Sequence, residues 1–135
     1  MVQNLTALDV IAINIGLMEQ SGGISQTRDE GLLESAVTRP QMAAYYEDAN
    51  LITQIGLLIV GIALTHAFID GNKRTALLAG AVFAQINGYW IGSGPLEFGR
   101  QVEAVVLHED GLEAATAQLI AWLRDHVVPL SGGNG

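Results

Sequence analysis

The chain has 135 residues, half of them hydrophobic, with no cysteine and a formal net charge of −8. That length suits one domain with a real core, and the lack of cysteine excludes disulfides, thiolate metal sites and cysteine nucleophiles. Fourteen acidic residues stand against six basic ones, a surface that repels phosphate backbones and anionic lipid, so neither nucleic acid nor membrane is an expected partner.

In chain order the pattern is helical nearly throughout. Thr6 with Asp9 forms a capping-box-like start, and Leu8, Ile11, Ile15 and Met18 repeat at helical spacing until Gly22-Gly23. Asp29-Glu30 places negative charge in the first turn of a second helix carrying Leu32, Leu33, Ala36 and Val37. Pro40 is expected to stop that helix, with a short separate piece from Gln41 to Glu47. Two segments follow that are apolar almost all round, Leu51–Leu64 and Asn72–Ile86. A helix without a polar face belongs in the middle of a bundle. Leu57, Leu58, Ile62, Leu77, Leu78, Val82 and Phe83 are therefore candidate core. Asn87-Gly88 ends the second of these, Tyr89–Pro95 holds at most a short strand, and amphipathic helices at Leu96–Leu107 and Leu112–Val127 lead to Pro129. The expected architecture is an all-α, compact single-domain bundle of about six helices with at most a short β flap, over residues 1–130. Residues 131–135, Ser-Gly-Gly-Asn-Gly, read as a flexible tail.

Met1-Val2-Gln3-Asn4 lacks the positive charge that opens a secretory signal. The longest nearly unbroken apolar run, Ile55 to Leu64, is too short for a membrane crossing, which needs about 20 residues. The expectation is a soluble, cytoplasmic chain.

Between the two apolar helices lies the polar interruption His66-Ala67-Phe68-Ile69-Asp70-Gly71-Asn72-Lys73-Arg74. Burying these groups unpaired costs several kcal/mol each, so they face a cleft or satisfy one another. Asp70-Gly71-Asn72 reads as a turn opening the second apolar helix, whose free backbone N–H groups and positive dipole end favour an anion. Lys73 and Arg74 put two of the six cations in that first turn, where helix electrostatics prefers acids. That placement points to an anionic ligand, phosphate first. Asp70 is a candidate Mg²⁺ ligand, since Mg²⁺ takes one or two carboxylates together with substrate phosphates. Gly71 lets the backbone approach a ligand. His66 is the side chain best suited to accept a proton from an attacking hydroxyl near neutral pH. Together these suggest transfer of a phosphate-containing group from a nucleotide.

The twelve residues His66 to Leu77, HAFIDGNKRTAL, resemble the signature of the Fic/Doc superfamily, in its Doc (death-on-curing) toxin branch. The upstream block Arg28 to Val37, with Arg39-Pro40-Gln41, is similar to the other recurrent block of that branch. The resemblance implies His66 as general base, Asp70 as Mg²⁺ ligand, Gly71, Asn72, Lys73 and Arg74 as the nucleotide-phosphate cradle, and Phe68 as the apolar anchor of the loop. Fic enzymes usually carry glycine where this chain has Lys73 and transfer AMP, whereas Doc-type toxins carry lysine and are linked with γ-phosphate transfer from ATP. It further implies elongation factor Tu as target and a Phd-type antitoxin as partner. The Ser/Thr-x-x-x-Glu-Gly/Asn block by which many Fic enzymes restrain themselves has no counterpart in the sequence. AMP transfer and a non-catalytic nucleotide- or partner-binding module are the competing readings.

Taken singly, the same residues have plainer roles. Asp70 could cap the following helix, Asn72 could be a turn residue, and His66, like His108 and His126, could be a hydrogen-bonded histidine at a helix end. Glu103, Glu109, Asp110 and Glu113 read as a solvated acidic face, and Trp90 and Trp122 as core or interface aromatics. Arg28 and Arg39 are assigned either to substrate or to surface ion pairs.

Overall fold

A computed structural model describes residues 1–131. Six helices run in order: α1 (Ala7–Ser21), α2 (Glu30–Glu47), α3 (Leu51–Thr65), α4 (Asn72–Ile86), α5 (Pro95–Leu107) and α6 (Leu112–His126). Two three-residue strands, β1 (Tyr89–Ile91) and β2 (Val127–Pro129), pair antiparallel with Trp90 opposite Val128. The all-α bundle expected from the sequence is the observed architecture. Of the expected tail, only Ser131 lies within the described residues; 132–135 lie outside them.

α3 is the hub, packed against α2, α4, α5 and α6, because it is apolar on every side. Ile55, Leu58, Ile59 and Ile62 are fully buried there. Each such side chain contributes about 1.5–3 kcal/mol on leaving water. α4 is less enclosed than its sequence predicts: Phe83, Ala76 and Ala79 are buried, but Leu78 and Ile86 are exposed. Trp90 is likewise half exposed, whereas Trp122 stacks between Phe98 and His126.

Three local expectations are corrected. α2 does not stop at Pro40 but runs through it to Glu47. A mid-helix proline costs about 3 kcal/mol through its missing N–H and its clash with the preceding turn. Here both halves of the helix bury apolar residues: Leu33, Ala36 and Val37 before Pro40, Ala43 after it, and Pro40 itself. Packing against α3 overrides the local penalty. In α1 the buried face is Val10, Asn14 and Met18, not the stripe Leu8, Ile11, Ile15, Met18; Leu8 and Ile15 are exposed. The inward turn of Asn14 has a polar cause, described below. Finally, Val127 to Pro129 is a strand, where the sequence predicted the end of a helix.

The expected capping box of α1 is present, and Asp29, expected as first-turn charge, is the N-cap of α2. Thr6 accepts from Asp9 N while the Asp9 carboxylate accepts from Thr6 N, and Asp29 Oδ1 accepts from Leu32 N at 3.0 Å. Among the described residues, no helix is long and apolar enough to cross a membrane.

Candidate active site

α3 ends on His66, whose backbone is left-handed (φ 53°), and α4 begins after Gly71, also left-handed (φ 77°). The segment between them makes the turn that the sequence places there. Its anchor is Phe68, 1% exposed. Asn72 closes the turn on itself: its carboxamide oxygen accepts from Phe68 N at 3.1 Å and its nitrogen donates to Phe68 C=O at 3.0 Å. The Asn72 side chain is thus a clamp on the turn.

Two residues that the sequence reading did not place in the site hold this turn. Asn14 of α1, 1% exposed, donates to Asp70 C=O at 3.0 Å and to the buried Thr75 hydroxyl at 3.1 Å. This accounts for the rotation of α1. A buried amide needs partners, and these two lie at the start of α4. On the other side the chain just before α2 runs along the turn. Arg28 N and Asp29 N donate to Ala67 C=O (2.6 and 3.1 Å), Ile69 N donates to Gln26 C=O at 2.9 Å, and Thr27 bridges antiparallel to Phe68. The Arg28 guanidinium donates to His66 C=O at 2.7 Å. A cation on the last carbonyl of a helix is favoured by the helix dipole. Asn14 was signalled by being polar in an apolar stripe; nothing in the sequence singled out the Arg28–His66 contact.

The predicted site residues then sort as follows. His66 and Asp70 are both exposed, and neither side chain hydrogen-bonds or ion-pairs with any described residue. Asp70 does not cap α4; the N-cap is Gly71, without a side-chain bond. Gly71 is required on two counts: its positive φ, and the collision that a Cβ would make with the Met18 Cε methyl. Gly23 faces the same corner, since a Cβ there would lie 2.7 Å from Asp70 Oδ2. Lys73 and Arg74, adjacent in sequence, diverge. Arg74 lies over an apolar groove with Leu17, Leu77, Leu78 and Phe98. Lys73 turns to α5, where Nζ lies 2.5 Å from Glu103 Oε1. Glu103 is therefore an ion-pair partner and not simply part of a solvated face. His108 and His126 keep the plainer role, their ring nitrogens against backbone carbonyls of their own helices.

Mg²⁺ fits the residues present only in the sparse mode in which one carboxylate acts together with phosphates. Asp70 is exposed and unpaired, while among the described residues no cluster of three or more metal-ligating side chains exists. An exposed histidine, an unpaired carboxylate and the N-terminus of α4 thus lie on one turn. The sequence model of the Fic/DOC family matches residues 4–84, and the chain belongs to that family. It is 46% identical over 69 residues to Toxin Doc of Mycolicibacterium smegmatis, a match covering 50% of this chain and 53% of that protein. It is 28% identical over 94 residues to Protein kinase doc of Escherichia phage P1, covering 69% of this chain and 75% of that protein.

Proposed function

We propose that this protein is the toxin of a toxin–antitoxin pair, acting in the cytoplasm as an ATP-dependent protein kinase. The observation that carries the choice of kinase is Lys73, a cation inside the anion-binding turn where AMP-transferring Fic enzymes usually have glycine. The relatives named Toxin Doc and Protein kinase doc support the same reading.

In this mechanism the target hydroxyl, a threonine of elongation factor Tu by family resemblance, gives its proton to His66 as its oxygen attacks the γ-phosphorus. The bond from the γ-phosphorus to its bridging oxygen breaks, and ADP leaves. The backbone N–H groups at the start of α4, with Lys73 and Arg74, bind the phosphates and offset developing charge. Asp70 would hold Mg²⁺, which supplies phosphate charge neutralisation when bound. Asn72 and Gly71 shape the turn that carries these groups. Arg28 and Asn14 fix the two ends of the turn, so that the base and the phosphates keep their spacing. A Phd-type antitoxin, a segment that folds on the toxin, would supply restraint.

The test is transfer to protein from ATP labelled at the α or the γ position, in a cell extract. Label arriving from γ, and lost with His66→Ala, is the expected result. Label arriving from α would establish AMP transfer, the reading left if Lys73 does not redirect the triphosphate.

A further inference from the structure

Lys73 is asked to bind phosphate, yet its ammonium already has an anion. Glu103, thirty residues away on α5, holds it at 2.5 Å, and the two side chains are 42% and 44% exposed. The groove around this pair is lined by Pro95, Leu96, Gly99 and Arg100, with no residue of the 66–71 turn. An ammonium in contact with a carboxylate presents to a third charge only the weak field of a dipole, in place of that of a free cation. We propose that Glu103 is a built-in counter-ion for Lys73, so that a polyphosphate engages Lys73 only by displacing the α5 carboxylate. This rests on the reading of Lys73 as a phosphate ligand and adds a specificity-determining residue outside the signature motif.

Three observations make the exchange feasible. The pair is half exposed, and exposed ion pairs are weak enough for a multiply charged anion to outcompete. Lys73 has a long unbranched stem, and its aliphatic part can stay on α4 while the head swings. The released carboxylate also has a destination. Arg100 sits three residues before Glu103 on α5, a spacing at which side chains meet, and its present partner Glu97 is only loosely engaged at 4.0 Å. Carboxylate and ammonium can therefore part without either being left unpaired. Arg74, in the neighbouring groove, has no such counter-ion among the described residues. The two cations of the signature are thereby unequal: Arg74 is available at once, Lys73 conditionally.

The experiment is a double-mutant cycle read by calorimetric binding of sodium tripolyphosphate and, separately, of ATP, to wild type, Glu103→Gln, Lys73→Ala and the double variant. Glu103→Gln is expected to tighten tripolyphosphate about 3- to 10-fold, as removal of a competing charge should. Lys73→Ala weakens it, and Glu103→Gln has little further effect once Lys73 is gone. Unchanged or weaker binding by Glu103→Gln overturns the proposal and makes Glu103 a support for Lys73. An equal gain in the Lys73→Ala background also overturns it, because Glu103 would then act as a general repulsive charge. So does an absence of binding by all four proteins. Thermal melting of the variants checks folding, which an exposed pair should alter little. Tripolyphosphate binding does not depend on which phosphorus is transferred, so failure of the kinase reading in the labelling assay and failure of the counter-ion proposal are separate results.

Discussion

The turn between α3 and α4 is held from two sides that differ in kind. Its inner side rests on groups out of water: Phe68, the Asn14 carboxamide and the Thr75 hydroxyl, none more than 1% exposed. Its outer side is held at the surface by the Arg28 guanidinium on His66 C=O, beside the backbone of residues 26–29 laid along Ala67 to Ile69. A buried hydrogen bond broken on one side leaves its partner unsatisfied, at about 1–3 kcal/mol. A bond broken at the surface is replaced by water. The inner side therefore fixes where the turn is, and the outer side fixes how His66 sits on it. His66 belongs to the outer side, and its left-handed backbone is retained although glycine would hold it with less strain.

That contrast can be broken most sharply at His66 itself. His66→Gly is expected to lower group transfer at least about 100-fold, the usual scale for losing a general base. At the same time it should leave the melting temperature unchanged or raise stability by about 0.5–1 kcal/mol, because glycine relieves the left-handed position. A fall in both would mean that the histidine is structural. Gly71→Ala should do the reverse and act chiefly on stability. The positive φ and the overlap with Met18 together cost about 2–4 kcal/mol, read as a lower midpoint in urea. Asn14→Leu comes next, at about 1–3 kcal/mol, because it strands the Asp70 carbonyl and the Thr75 hydroxyl without a donor. If that variant melts like the wild type, the inner side is not what holds the turn.

The same division explains what could be read in the sequence. The bundle was legible because α3 and α4 are apolar over whole turns and because Thr6, Asp29 and the Asn87-Gly88 pair mark helix ends. The signature turn was legible because five polar or charged side chains, His66, Asp70, Asn72, Lys73 and Arg74, interrupt the most apolar stretch of the chain. Pro40 misled because a local penalty of a few kcal/mol is visible in sequence, whereas the packing of Ala43 and Val37 on one continuous face is not. The α1 stripe misled by a fraction of a turn because what draws Asn14 inward is not visible within its own helix. Its partners, Asp70 and Thr75, are 56 and 61 residues away. That Lys73 and Arg74 face different neighbours, Glu103 and an apolar groove, was not legible because adjacency in sequence does not display the roughly 100° that separates neighbours around a helix. The ion pair of Glu103 is hidden for a like reason: its partner lies thirty residues away in the chain.

The smallest effect is expected on the outer side, at Arg28, and it tests the comparison most finely. Its contact with His66 C=O is exposed, so Arg28→Ala should change stability by less than about 1 kcal/mol. The backbone pairing of Arg28 N and Asp29 N with Ala67 C=O survives the substitution, so the segment stays along the turn. What is lost is the tie to His66, the proposed base. Turnover should fall about 10-fold with KM for ATP little altered, since a misplaced base slows proton transfer without touching the phosphate contacts. Arg28→Lys, which keeps a donor and a cation, should recover part of the loss. The His66 ring resonances of Arg28→Ala, followed by NMR, should broaden or shift while those of His108 and His126 stay in place. Unchanged turnover with an unchanged His66 spectrum would show that the buried side alone positions the base, and the outer segment would then be left with no part in the site.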